Sequence, residues 1–551
     1  MLDLNLRVHS DLHLPSDIVT HKHFIDGQYL ESASGDVTER VAPSHGVVVS
    51  RAAKGTEAEV NLAVAAARRA FDNGRWCRIA AKERAIVLTK VADLIEQNVE
   101  RFALIESLES GKPISQARGE VGGAAELWRF AASLARASTG ETHNNLGDDI
   151  LAMTVKEPIG VVSIITPWNF PFWILSQKLP FALAAGCTCV IKPSEFTPST
   201  TAMLADLLVQ AGMPEGVCNI VLGHGDPVGA LMTSHSDVDM VSFTGSTAVG
   251  KKVAEVASDT LKKVTSELGG KNPQVIMPDA DLDAAADAVV FGVYFNVGQC
   301  CNSSSRIIVH QDIANAFIEK VVALSKKVVF GNPLHADTQV GAIVTTEHQQ
   351  KIDTYVQDAI NQGATVHLGG AGMHVEGLSN QFYQPTVISN VRPDMAISRE
   401  EVFGPVLTVL TFQTLDEAIQ ITNDTEYGLS AGIWSENINN CLEFSRRANA
   451  GTIWTNTWMD GFPEVTFGGM SSDSCKSGAP DENVSSLQSR YSPLWVSCKA
   501  ASTLITAIES AAVPPKPPPK VVQGRPQSKI GPSLSPGPIL VDHSSGPVLK
   551  H

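Results

Sequence analysis

At 551 residues the chain is too long for one ordinary core, so two or three domains are expected. Hydrophobic residues make up 43% and charged residues 18%, which excludes disorder over most of the length. A net charge of -16 leaves no excess of Lys and Arg to neutralise phosphates, which excludes a general nucleic-acid binder.

The first residues, MLDLNLRVHSDLHLPSD, lack a basic stretch followed by an apolar one, so no secretory signal is read there. EAEVNLAVAAARRAFD (57–72) and KERAIVLTKVADLIEQNVERFALIESLES (82–110) have the apolar spacing of long amphipathic helices. The uncharged run from Pro158 to Gln177 is long enough to raise a membrane question. It contains Pro158, Pro167, Asn169 and Pro171, so a strand, a turn and a helix start explain it better. VVSIIT (161–166) reads as a buried strand, 172–185 as a helix, and CTCVIKP (187–193) as a second strand. An amphipathic helix follows Pro198 and ends at Gly212. NIVLG (219–223) and DMVSFTG (239–245) are further strands, with a helix over 247–258. Strand–helix alternation with short links predicts an α/β fold, a Rossmann-like doubly wound parallel sheet. Ligands of such sheets bind beyond the carboxyl ends of the strands.

The second half reads as another α/β unit. A helix over 284–296 leads into a Cys pair, followed by RIIVH (306–310), a helix near 312–329, TVLTF (408–412) and a helix near 415–422. Residues 475–551 differ: they hold 12 of the 30 prolines and eight Lys/Arg against four Asp/Glu. The tail is thus near +4 and the rest near -20, the mark of a disordered, polyproline-prone extension. The nine cysteines form no CxxC, and neither HExxH nor a Cys/His cluster of zinc spacing occurs. Free thiols, no metal and a reducing, cytoplasmic location are expected.

Six motifs stand in order along the chain: TPWNFP (166–171), KPSE (192–195), FTGSTAVG (243–250), ELGGKNP (267–273), FNVGQCC (295–301) and EEVFGPV (400–406). With them the sequence resembles the aldehyde dehydrogenase superfamily from about Phe24 to Gly469. The resemblance implies a cofactor domain over 1–145 and 158–267, bridging strands at 146–157, a catalytic domain over 268–470 and an atypical tail at 471–551. It also implies oxidation of an aldehyde to a carboxylic acid with NAD.

In that reading Cys301 is the nucleophile, because a thiolate adds to an aldehyde carbon to give a thiohemiacetal. Cys300, at the variable position of the motif, is a pocket-lining neighbour. The Asn169 side-chain amide would stabilise the oxyanion; a helix N-cap is its competing role. Glu267 would activate the water that hydrolyses the thioester. Lys192 and Glu195 would grip the adenosine ribose, where a carboxylate accepts from both hydroxyls and repels a 2′-phosphate, favouring NAD over NADP. Thr166, Trp168 and Thr244 are carried to the cofactor site by their motifs. Gly245 and Ser246 open a helix toward the pyrophosphate. Gly223, Gly225 and Gly229 form a GxGxxxG that could equally be a loop-to-helix turn. Glu401 and Phe403 would hold the nicotinamide ribose and ring. Phe170, Trp173, Gln177, Trp458 and Phe467 fall near the aldehyde tunnel, as packing for an aliphatic or aryl chain or as a cage for a quaternary ammonium.

After residue 470 the expected SGxGRE turn, helix and terminal strand are replaced by SSDSCKSGAPDENVSSLQSRYSPLW. Without that strand a sheet edge would stay unpaired, so the dimer or tetramer usual for the family is expected to be weakened. Two other readings compete. One is a catalytically impaired relative acting as a binding or structural subunit; the other is a cofactor-independent thiol esterase. A small-molecule aldehyde is the expected partner, and neither nucleic acid nor membrane is.

Overall fold

The computed structural model describes residues 6–7, 14 and 17–470. The Pro-rich extension expected over 471–551 lies outside the described residues, as do the segment that departs from the family pattern and its consequence for sheet pairing.

Two seven-stranded sheets organise the chain. The first opens with β1 (His23–Ile25) and β2 (Gln28–Leu30). Four helices follow: α1 (Glu57–Asp72), α2 (Ala81–Gln97), α3 (Val99–Ser110) and α4 (Ile114–Ala137). α1 starts on a capping box formed by Thr56 and Glu59. The apolar spacing over 82–110 predicts one helix, but the structure breaks it at Asn98. The Asn98 amide turns back to the Leu94 carbonyl, the local competition that makes Asn a poor helix-interior residue. A hairpin of β3 (Glu141–His143) and β4 (Ala152–Thr154) comes next.

β5 (Val161–Ile165) is buried at every position, as a strand covered on both faces must be. The helix expected over 172–185 is two, α5 (Pro171–Ser176) and α6 (Leu179–Ala185). Pro180 has no N–H and is tolerated only in a first turn, so the helix restarts there. The sheet is completed by β6 (Thr188–Lys192), α7 (Ser199–Ala211), β7 (Cys218–Ile220), β8 (Met240–Thr244), α8 (Thr247–Ser258) and β9 (Lys263–Glu267). Its order is β9-β8-β5-β6-β7-β1-β2, parallel from β9 to β7 and antiparallel at β1 and β2. Val162 and Ile164 face the core shared with α2 and α4, and Val161 and Ile165 face the one shared with α1. The strand order reverses direction between β5 and β8, so the ligand crevice of such a sheet lies beyond their carboxyl ends.

The second sheet holds β10 (Pro273–Ile276), then, after α9 (Leu282–Tyr294), β11 (Arg306–His310), β12 (Thr365–Leu368), β13 (Thr386–Ser389), β14 (Val406–Phe412), β15 (Ser430–Trp434) and β16 (Thr452–Thr455). Its order is β12-β13-β14-β11-β10-β15-β16, parallel except at the β12 edge. Ile307 and Val309 point into one core, and Ile308 into the other. The chain is therefore the α/β protein that the sequence predicts, built on two mostly parallel sheets. Among the described residues, no helix is long and apolar enough to cross a membrane.

Candidate active site

Three expected cofactor residues stand at the carboxyl ends of adjacent strands: Thr166 after β5, Lys192 ending β6 and Thr244 ending β8. The Thr166 and Thr244 hydroxyls are buried without a hydrogen-bond partner. Dry hydroxyls normally find partners, so a polar ligand fits beside them. Lys192 Nζ donates to the carbonyls of Pro193 (2.8 Å) and Gly223 (2.9 Å) and lies 3.6 Å from Glu195. Burial pulls its pKa below the ordinary value although Glu195 opposes this. The Glu195 carboxylate keeps some exposure and is also 3.6 Å from His224 Nδ1. Of the spaced glycines, Gly223 takes a φ of +144°. A Cβ at Gly225 would meet nothing within 4 Å, and one at Gly229 would make ordinary contacts with Lys192 at 3.5 Å and Ile165 at 4.0 Å. Gly245 is sterically demanded, since a Cβ there would come 2.6 Å from Phe243. Ser246 caps α8, its hydroxyl accepting the Val249 N–H at 3.4 Å.

The Cys pair sits on an unusual turn. Asn296, Val297 and Gly298 all take positive φ (49°, 63° and 72°), and a Cβ on Gly298 would collide with the Gly404 carbonyl. Only tight surroundings hold such a turn, and Asn296 supplies part of them by donating to the carbonyls of Asn169 (2.8 Å) and Gln299 (3.0 Å). Asn169 in turn donates to the Gln299 carbonyl at 3.1 Å. Its N-cap role does not occur: α5 has Phe170 at that position with no side-chain cap. Asn272 Nδ2 clamps the carbonyls of Cys301 (2.7 Å) and Ser303 (3.1 Å).

The Cys301 thiol is half-buried, and Cys300 is buried with its thiol donating to Asn302 Oδ1 at 2.7 Å. The hydrogen bond between the two thiols holds Cys301 well above its ordinary pKa. Burial and the carboxylates of Glu401 and Glu267 add to this. Cys301 therefore rests as a thiol with two carboxylates in electrostatic reach. The seven cysteines among the described residues are free.

Glu267 ends β9, where its carbonyl accepts the Gly245 N–H at 3.1 Å. The glycine pair after it is tightly enclosed, by a side chain at Gly269 and by backbone at Gly270. A Cβ on Gly269 would lie 2.5 Å from Glu401 Oε2, and one on Gly270 would collide with the Cys301 carbonyl. Glu401 Oε1 accepts the Gly270 N–H at 2.9 Å. Burial pushes its carboxyl up to about 7, opposed by that bond and by Lys351 and Lys271. Phe403, with φ +60°, lies edge-on to Trp168 at 5.5 Å, and its carbonyl is 2.7 Å from His348 Nε2. The structure thus brings Cys301, Glu267 and Glu401 within one electrostatic neighbourhood, ties Asn169 to the cysteine loop through Gln299, and joins Trp168 to Phe403.

The expected tunnel residues divide. Phe170 packs with Ile174 and Cys300, joined by Trp173, Phe295 and Met459. Gln177 is exposed and Phe467 half-buried. Trp458 is buried in the second unit, 4.7 Å from Trp454 and wedged where Gly292 and Gly432 leave room. Its neighbour Met459 is the residue that meets the Phe170 cluster. Lys178 escapes sequence reading: a lysine near a helix start looks solvated, yet here it is half-buried, within electrostatic reach of Glu267 and bonded to Ser242 at 3.2 Å. Burial lowers its pKa while Glu267 raises it. Asn272 also escapes, although it lies inside the ELGGKNP motif. Among the described residues, no group of three His, Cys, Asp or Glu could hold a metal ion.

Comparison with known proteins agrees with this geometry. Residues 29–491 match the model of the aldehyde dehydrogenase family, so the match runs past residue 470, where the motifs cease. A betaine aldehyde dehydrogenase of Bacillus subtilis is 39% identical over 81% of this chain and 91% of its own length. Aldehyde dehydrogenase family 2 member C4 of Arabidopsis thaliana is 40% identical over 85% and 94%. Among solved structures, an NAD-dependent aldehyde dehydrogenase from Sinorhizobium meliloti is 50% identical with a TM-score of 0.82, covering 83% of this chain and 91% of that one. A betaine aldehyde dehydrogenase from Staphylococcus aureus in complex with NAD+ is 37% identical with a TM-score of 0.81, covering 83% and 90%.

Proposed function

This chain belongs to the aldehyde dehydrogenase family and is an NAD-dependent aldehyde dehydrogenase, and on that premise we propose that Cys301 is its nucleophile, Glu267 its base and Asn169 its oxyanion donor. The observation that carries this reading is the half-buried Cys301 thiol within reach of the Glu267 and Glu401 carboxylates, on a loop tied to Asn169 through Gln299.

The thiol must lose its proton before it attacks, and the Glu267 carboxylate can take it. Sulfur then bonds the aldehyde carbon, and the carbonyl π pair moves to oxygen. One hydrogen of Asn169 Nδ2 is engaged with Gln299, which leaves the second for that oxyanion, together with the Cys301 N–H. A preorganised donor of this kind contributes roughly 3–4 kcal/mol in the transition state. Collapse of the tetrahedral carbon would expel a hydride, and NAD bound in the crevice would supply its acceptor. Glu267 releases the proton it took from the thiol to solvent, and as a carboxylate it then takes a proton from the water whose oxygen adds to the thioester carbon. The C–S bond breaks, the acid leaves and the thiolate is reprotonated. For the cofactor, Thr166, Thr244, Lys192 and Glu195 would line the dinucleotide crevice, and Glu401, Phe403 and Trp168 would face the nicotinamide end.

For the substrate we favour a neutral aliphatic or aryl aldehyde over a trimethylammonium aldehyde. Phe170 already has the Lys112 ammonium 4.6 Å from its centroid and stacks on Phe295. Little aromatic face is left for a second cation. We also place the enzyme in the reducing cytoplasm, where its thiols stay unoxidised, and as an oligomer joined through the β3–β4 hairpin.

The test is NADH formation from a panel of aliphatic, aryl and quaternary-ammonium aldehydes. Cys301→Ala should fall to background with its fold intact, and Glu267→Gln should lose most turnover. NADH production by Cys301→Ala at the wild-type rate would sink the assignment. Ester cleavage without any NADH would favour the esterase reading.

A further inference from the structure

Lys112, between α3 and α4, is fully buried. Its Nζ lies 3.2 Å from Glu106 Oε1 on α3 and bonds Glu120 Oε2 on α4. Two carboxylates against one ammonium would leave a net charge in the interior, which is costly. Each carboxyl retains one buried oxygen without a hydrogen-bond partner, Glu106 Oε2 and Glu120 Oε1, and Glu106 is among the groups that raise the Glu120 pKa. Burial pushes Glu120 well above the carboxylate range even against Lys112. A proton on Glu120 donated to Glu106 satisfies both oxygens and makes the triad neutral.

The ammonium reaches one group more, the Phe170 ring, at 4.6 Å from its centroid. Phe170 follows Asn169, stacks on Phe295 (5.8 Å, 22°) and packs with Cys300. α4 touches the same region twice more. Gln116 Oε1 accepts the Asn296 N–H at 3.1 Å, and Gly123 leaves the space that Trp173 fills, since a Cβ there would lie 2.5 Å from the indole. Positions 116, 120 and 123 share one helix face.

We propose that Lys112, locked by Glu106 and Glu120, is a positioning residue that fixes the Phe170 ring and through it the wall of the aldehyde pocket beside Asn169. The proposal rests on the reading of Cys301 and Asn169 given above. An apolar side chain in place of the ion pair would often be as stable, so what the charges add is geometry: a directed contact that holds one ring against the cysteine loop.

The test uses the full-length protein with saturating NAD, acetaldehyde as the small substrate and benzaldehyde as the large one. Lys112→Met should raise the benzaldehyde KM about tenfold and the acetaldehyde KM less than threefold, with the NAD KM unchanged. Glu120→Leu should shift the same ratio, and Glu120→Gln, which can still bridge Lys112 and Glu106, should restore it. In a Phe170→Leu background the effect of Glu120→Leu should vanish, because the ring through which it acts is gone. Should Lys112→Met not fold, this double-mutant cycle decides the matter alone. A folded Lys112→Met with an unchanged KM ratio, or additive effects of Glu120→Leu and Phe170→Leu, overturns the positioning role. Failure of the underlying reading looks different: the wild type would make no NADH from either aldehyde, or Cys301→Ala would remain active.

Discussion

The two vicinal thiols make a sharp prediction about the nucleophile. Cys300 is the first cause of the raised Cys301 pKa, ahead of burial and the two carboxylates. Removing its sulfur by Cys300→Ala should lower that pKa and enlarge the thiolate fraction at neutral pH. Since the thiolate is what reacts, alkylation by iodoacetamide at pH 7 should quicken by up to about tenfold for each unit of change. Its pH profile should move to lower pH, read in the cofactor-free protein by mass spectrometry at Cys301. An unchanged or slower alkylation would show that the Cys300 thiol does not govern its neighbour. At this scale the sequence singles out Cys301, Glu267 and Asn169 because each sits in a short motif, and their roles are those proposed above. Lys112 and Lys178 were not legible, because a lysine beside a helix is normally solvated. Only tertiary packing reveals that Lys112 is buried, and Lys178 half-buried, beside carboxylates.

At the scale of elements, the segment that follows β9 is decisive, because it runs between two parts of the site. A methyl group at Gly270 would strike the Cys301 carbonyl and approach Asn272 Oδ1 at 2.8 Å, and so break the clamp on the cysteine loop. Misplacement of reacting groups by about 1 Å costs on the order of 100-fold in rate. Gly270→Ala should therefore lose about that much kcat while NAD binding persists. Gly269→Ala meets the Glu401 carboxylate, which can swing aside, so it should act on the NAD KM several-fold more than on kcat. Steady-state kinetics in both substrates separate the two; a Gly270→Ala enzyme with wild-type kcat would refute the steric account. The same scale shows what periodicity can and cannot tell. Runs such as 161–165 and 306–310 read correctly as strands because burial on both faces leaves most of their positions apolar: Val161, Val162, Ile164 and Ile165 in one, Ile307, Ile308 and Val309 in the other. The breaks at Asn98 and before Pro180 escape a count of apolar spacing, because they depend on one side-chain hydrogen bond and one missing N–H.

For the whole molecule, the α/β class with its mostly parallel sheets was legible from strand–helix alternation, but the order of strands within each sheet was not. Alternation fixes local handedness and leaves open which earlier strand a new one joins. The β3–β4 hairpin carries the clearest consequence for assembly. Leu146, Ile150, Leu151, Met153 and Val155 are each more than half exposed within about ten residues. Exposed apolar side chains gathered on one hairpin suit the subunit interface proposed above. Because the sequence pattern changes after residue 470, that interface should act with less support than in relatives. The mass measured by light scattering should then rise with concentration from the 58.7 kDa of one chain toward that of a dimer. Leu151→Glu combined with Met153→Glu should hold the protein at one chain over the same range while leaving its thermal transition within a few degrees, since neither side chain belongs to a core. A constant oligomer mass down to nanomolar concentration would refute the weakening. Assembly untouched by the two glutamates would place the interface elsewhere.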